Sequence, residues 1–239
     1  MTLVLAIDTS AEACAVAVAG DGSVLARAGR GMTHGHAEAL MPIVAEAMAA
    51  GGCALADVGL VAVTVGPGSF TGVRTGIAAA RGIALGAGSR AVGVSSLAAV
   101  ASGALAEAGG DVLCVLETRR RDFYVQAFRA AAGDPRPVPL TPPEITDAAG
   151  VAALSAAHPG AALAGNALGR LAAELGALPD GLRTAAGTGL PEPARVAMLG
   201  VALAAALDAE EKGLEDTLSP LYLRPPEAKL PEAGGRLRR

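Results

Sequence analysis

Tryptophan is absent, and only five of the 239 residues are aromatic: Phe70, Phe123, Tyr124, Phe128 and Tyr222. A protein that tracks single-stranded nucleic acid by stacking gathers more rings than this on one face. Lysine is almost missing too, with Lys212 and Lys229 alone, and the net charge is −4. The chain therefore carries no global basic field for a polyanion. No apolar run reaches the ~20 residues of a membrane span. The longest, Val196 to Leu207, suits a buried helix. Asp8 and Glu12 interrupt the apolar start, which no basic residue precedes, so no signal peptide is expected. The three cysteines, Cys14, Cys53 and Cys114, form no C-x-x-C pair. Cys14 and Cys114, in apolar strand-like runs, read as buried small hydrophobes rather than as disulfides or metal ligands, and the compartment as reducing and cytoplasmic.

What is present is apolar: 52% of residues are hydrophobic and 18% charged, which excludes a disordered chain. The first hundred residues alternate clearly. Leu3–Asp8, Cys14–Ala19 and Ser23–Ala28 read as strands, the last two joined by Gly20-Asp21-Gly22, a hairpin signal. A helix is expected over His36–Ala50, a strand over Gly59–Val65, a helix over Phe70–Leu85, a strand over Ala91–Val94 and a helix over Ser95–Glu107. Three hairpin-linked strands extended by parallel crossovers describe the ribonuclease-H-like core of the actin group. Further on, Asp111–Glu117 and Asp122–Phe128 read as paired strands, and the proline-rich stretch from Asp134 to Pro143 as a loop or extended connector. Ala161–Ala164 reads as a strand, followed by a helix to Leu175, with a long helix over Pro193–Ala209. The expected division is a first lobe over 1–108, a smaller second lobe over 109–192, helix 193–210 packing back on the first, and a disordered tail over 225–239. No internal repeat is strong enough to name.

Residues able to carry chemistry are few. Asp8-Thr9-Ser10 closes the first strand, where an actin-like ATPase holds metal and phosphates, but Ser10 stands where close approach to phosphate wants glycine. Gly66-Pro67-Gly68-Ser69-Phe70-Thr71-Gly72 joins a strand to a helix. It lacks the lysine of a P-loop and the third glycine of a dinucleotide fingerprint. A tight turn in which Gly72 and Gly76 let the helix approach the sheet accounts for it. His34, His36 and Glu38 point apart on a helix, so no metal site is expected. No serine sits in a nucleophile elbow. Arg119-Arg120-Arg121 could bind phosphate or RNA, or simply be solvated, since Glu117 and Asp122 bracket it. In the 36–50 helix, Leu40, Ile43 and Ala47 can face a sheet, while Met41, Val44 and Met48 form a second stripe that invites a partner helix or lies within the chain's own core.

Taken in order, Leu5-Ala6-Ile7-Asp8-Thr9-Ser10, His36-Ala37-Glu38, Leu40-Met41-Pro42, the Gly66–Gly72 turn with Arg74 and Gly76, Gly93-Val94-Ser95-Ser96-Leu97, Arg119, Arg120, Tyr124, and Pro220-Leu221-Tyr222-Leu223-Arg224 resemble the bacterial TsaB (YeaZ) family. Glu117-Thr118 replaces the family's Asp-Ala. The resemblance implies an α/β, actin-like, two-lobed fold with a reduced second lobe. It implies a subunit without catalysis, without a metal or a tightly bound cofactor, whose Asp8, Thr9 and Ser10 are a vestigial phosphate loop. Its partner would be the catalytic paralogue TsaD, joined by the ATPase TsaE. The complex would move threonylcarbamoyl from threonylcarbamoyl-AMP to N6 of the adenosine beside the tRNA anticodon. The partner surface would comprise Met41, Val44, Met48, Arg74, Ile77 and Arg81, and the same stripe would form a homodimer when TsaD is absent. Arg119, Arg120 and Arg121 would touch tRNA or TsaE. Two alternatives from other classes are an autonomous actin-like ATPase or sugar kinase, using Asp8 and the Gly165-Asn166 turn, and a metallopeptidase-like hydrolase.

Overall fold

A computed structural model describes residues 2–118, 120–178, 183–185 and 189–224. The Asp21-Gly22 step carries positive φ angles of 50° and 75°, the backbone that matches the twist of a two-residue hairpin. It joins β2 (Ala13–Gly20) to β3 (Ser23–Gly31), with β1 (Leu3–Ala11) antiparallel to β2. Helix α1 (His36–Ala50) carries the chain across to β4 (Val58–Thr64), parallel to β1. Helix α2 (Phe70–Ala87) then leads to β5 (Arg90–Val94), parallel to β4. The first sheet runs β3-β2-β1-β4-β5, the ribonuclease-H-like order expected of an actin-like lobe.

The second lobe repeats this plan in shorter form. Strands β6 (Asp111–Glu117), β7 (Phe123–Ala131) and β8 (Asp134–Pro139) form an antiparallel meander, with β9 (Glu144–Thr146) also on β7. Helix α4 (Ala148–Ala157) crosses to β10 (Ala162–Ala164), parallel to β6. A single parallel bridge between Leu163 and Thr184 stands where β5 pairs with β4 in the first lobe. The order β8-β7-β6-β10 thus mirrors β3-β2-β1-β4. Pro135, Pro137 and Pro139 do not prevent β8, contrary to the loop expected there, because β8 is an edge strand whose prolines alternate with donors. Helix α4, not expected from the sequence, starts at Asp147, whose Oδ1 accepts from the Gly150 amide at 2.9 Å.

The helices after each fifth position are exchanged. Helix α3 (Ser96–Ala108), which follows the first sheet, packs on β6, β7, β8 and β10 of the second. Helix α6 (Pro193–Ala209), which follows the second sheet, packs on β1, β2, β4 and β5 of the first. The layers are therefore α1 and α2, the first sheet, α6 with α3, the second sheet, then α4 and α5 (Leu168–Leu175). Among the described residues no helix is long and apolar enough to cross a membrane. Arg119 and residues 225–239, and with them the expected tail, lie outside the described residues.

At the α6 crossing, a Cβ on Gly200 would meet the Ala62 Cβ at 2.5 Å. Gly200→Val should force α6 away from β4 and cost about 1–3 kcal/mol, read as a lower denaturant midpoint with an unchanged slope.

Candidate functional site

The β1 end and the start of α2 meet so closely that no ligand fits between them. The Ser69 amide, which would otherwise face an anion at the helix N-terminus, donates to Ser10 O at 2.7 Å. Ser69 Oγ caps the Gly72 amide, and the Val73 amide donates to Ser69 O. Thr9 Oγ1 donates to Gly72 O at 2.7 Å. A Cβ at Gly68 would overlap Ser10 O, one at Gly72 would overlap Thr9 O, and one at Gly76 would press on Thr9 Oγ1. Three glycines four residues apart thus form the seam along which α2 lies on β1.

Asp8 is sealed beneath that seam and wholly buried. Its Oδ1 accepts from Thr64 Oγ1 at 2.6 Å, Ser10 Oγ at 2.7 Å and the Ser10 amide at 3.1 Å. Its Oδ2 is buried without a partner. Burial pushes the carboxyl above its ordinary value against the hydrogen bonds from Thr64 and Ser10. A carboxyl without solvent access, its Oδ1 already accepting three hydrogen bonds, is poorly suited to hold a cation. Cys14 and Cys114 are poor nucleophiles: Cys14 is buried and pushed up to about 11, and burial raises Cys114 further, while the half-buried Cys53 Sγ donates to Gly51 O. Among the described residues no group of three or more His, Cys, Asp or Glu is placed to hold a metal ion.

Between the lobes lies a cavity of about 620 Å³. One wall is Ser10, Pro67, Phe70 and Arg74; the other is Glu117, Arg120, Tyr124 and Asn166. In the second lobe Glu117 ends the strand that corresponds to β1. Arg170 holds Glu117 at 2.9 Å, stacks 3.9 Å over the Phe123 ring, and donates to the carbonyls of Arg120 and Asp122. Burial opposes ionisation of Asp122, but hydrogen bonds from Thr118 and Arg224 hold its carboxyl below the ordinary value. The β6–β7 turn is thereby fixed, with Arg120 and Arg121 on its exposed side. The Gly165-Asn166 turn serves this scaffold: Asn166 Oδ1 accepts from the Glu117 amide at 3.0 Å.

The expected second stripe on α1 is corrected. Leu40, Ile43, Val44, Ala47 and Met48 are all buried in the first-lobe core, following i, i+3, i+4, i+7, i+8. They form one wide face, because α1 sits in an angle between the β2–β3 hairpin and α2 and is covered from two directions. The helix runs through Pro42 without ending there. Ile77 is likewise in the core. Arg74 and Arg81 are on the surface, but each holds the C-terminal segment: Arg74 Nε donates to Tyr222 Oη at 2.6 Å and Arg81 to Leu218 O at 3.3 Å. The large apolar side chains exposed on these helices are Met41 (45%), Leu85 (85%) and, at the first turn of α2, Phe70 (54%); Leu55 lies near Met41. Met41 and Leu55 border a shallow depression floored by Ala79, Gly82, Ile83 and Gly86, and Leu85 lies outside it on α2. Leu55 and Leu85 were missed by the sequence reading, although Leu85 lies off the buried stripe of α2.

A family model described as TsaD, tRNA N6-adenosine threonylcarbamoyltransferase, matches residues 29–135. The Escherichia coli K12 protein named tRNA threonylcarbamoyladenosine biosynthesis protein TsaB is 41% identical over 122 residues, 51% of this chain and 52% of its own. An uncharacterised Mycobacterium tuberculosis protein is 34% identical over 231 residues, 96% of this chain and 95% of its own. The crystal structure of YeaZ from Pseudomonas aeruginosa superposes with a TM-score of 0.75 at 25% identity, covering 93% of this chain and all of that one. The chain belongs to the TsaB (YeaZ) family. Its match to the named E. coli relative spans about half of that protein's length.

A folded-state carboxyl raised above its unfolded value gives stability that is full below the unfolded pKa and lost as pH rises. Asp8→Asn should therefore match the wild type near pH 4 and exceed it at pH 8. Each kcal/mol of that difference moves Tm by about 2–4 °C in a chain of this size. Parallel Tm-versus-pH profiles for the two proteins would contradict a carboxyl raised by burial.

Proposed function

We propose that this chain is a non-catalytic docking subunit of the apparatus that places threonylcarbamoyl on N6 of a tRNA adenosine. Its direct partner is a TsaD-type transferase, a TsaE-type ATPase joins them, and tRNA is reached through the assembly. The observation that carries this reading is the occupied phosphate position: the Ser69 amide and the Gly68–Gly72 seam are satisfied by the chain's own β1 backbone. A chain that fills its own reaction site while leaving apolar surface uncovered on α1 and α2 is suited to binding another protein.

The paralogy supports the choice of partner. The transferase model fits residues 29–135, which contain both α1 and α2. Two chains with the same helix pair can meet through it about a pseudo-two-fold axis, and two copies of this chain can use the same geometry. Gly82 and Gly86 have open space where a side chain would be, so a facing helix can approach the α2 backbone between Met41 and Leu55, with Leu85 exposed on the same helix.

Co-purification with TsaD and TsaE, followed by a tRNA modification assay with and without this chain, tests the reading. Modification by TsaD and TsaE at full rate without it would overturn the proposal, as would turnover of threonylcarbamoyl-AMP by this chain alone. Met41→Asp and Leu85→Asp should each weaken TsaD association by about tenfold or more while leaving Tm near the wild type. Val44→Asp should instead prevent folding, because it buries an unpaired charge.

A further inference from the structure

The sequence has too few aromatics for an extended stacking track, yet two of the five meet at one point on the cleft. Phe70, at the first turn of α2, is 54% exposed. The Tyr222 ring stacks on it with centroids 5.4 Å apart and planes 24° from parallel. The Arg74 guanidinium lies 3.8 Å from the Phe70 centroid and 5.6 Å from that of Tyr222. These three distances put Arg74 and Tyr222 on the same side of Phe70 rather than on opposite faces. More than half of Phe70 stays exposed despite these two contacts, and all three residues line the 620 Å³ cavity. The platform is rigid before anything binds: Tyr222 Oη accepts from Arg74 Nε, and the Leu221 amide donates to Val65 O at 2.8 Å.

We propose that the open face of Phe70 stacks a single unpaired nucleobase, with Arg74 as the cationic backing of the ring. A flat, electron-rich heterocycle is the ligand class that an exposed phenyl ring with a guanidinium behind it recognises. The volume suits one nucleoside, within the ~300–1,000 Å³ of small-ligand sites. Arg120 on the cavity lining and Arg121 on the adjoining turn are the cations nearest an attached phosphate, Arg224 being paired with Asp122. Glu12 on the near rim keeps the site from being a general polyanion sink. This site is at the opposite end of α2 from Gly82, Leu85 and Gly86, so it is separate from the docking face.

The test uses the full chain alone with two fluorescent probes: 2-aminopurine riboside monophosphate, and an RNA stem-loop with 2-aminopurine at an unpaired loop position. Stacking quenches the fluorophore. Phe70→Tyr should bind like the wild type, and Phe70→Leu should bind about tenfold more weakly or worse. Equal Tm values for the variants would show that both are folded, and Phe70→Tyr controls for the loss of contact with Tyr222. Quenching of the stem-loop only identifies RNA as the source of the base, and quenching of the mononucleotide only identifies a free nucleotide; either supports the proposal. No quenching with either probe, or quenching that Phe70→Leu leaves unchanged, overturns it. Neither result bears on TsaD association, which is measured separately.

Discussion

The packing of α2 on the end of β1 sets the character of the molecule. Backbone N–H groups at a helix start must be satisfied by something. Here the Ser69 amide is taken by Ser10 O and the Gly72 amide by Ser69 Oγ. Glycines at 68, 72 and 76 allow that approach, since any side chain there would strike Ser10 or Thr9. Once the seam is closed, Asp8 has no route to solvent, and burial raises its carboxyl above the ordinary value against the hydrogen bonds from Thr64 and Ser10. The features that make the turn conspicuous as a motif are thus the ones that close it to phosphate.

The second constraint is the exchange of helices between lobes. Because α3 fills the face of the second sheet and α6 that of the first, neither sheet buries its apolar surface without the other half of the chain. A C-terminal strap adds to this. Thr217 Oγ1 accepts from the Gly93 amide, Leu218 joins the first-lobe core, and Arg224 reaches Asp122 on the second lobe. The cleft walls are held at a set separation by these crossings together with the Arg170 cluster behind β6–β7. Surfaces used for recognition on such a body can be preorganised, which limits the ordering cost of binding.

Much of the first lobe was legible because its signals are local. Asp21-Gly22 makes its hairpin by backbone preference alone, and α1 occupies the expected 36–50 interval. The glycine spacing in the Gly66–Gly76 segment correctly implied close helix-to-sheet packing. The second lobe was harder to read. Its meander includes a strand with three prolines, acceptable only because that strand lies at an edge. The repeat of the first lobe is invisible in the residues, since its fifth strand has shrunk to the Leu163–Thr184 bridge. Val44 and Met48 were misplaced because periodicity gives the width of an apolar face but not how many neighbours cover it.

From the residues alone followed the order of the first-lobe elements and the failure of the glycine turn to match a P-loop. Each depends on residue type and short spacing, which are properties of a chain segment. Tertiary structure decided which apolar side chains remained outside, that Asp8 was sealed, and that Phe70, Arg74 and Tyr222 met on one wall. Those outcomes depend on contacts between segments as many as 148 residues apart, and no local pattern encodes the angle at which two such segments meet.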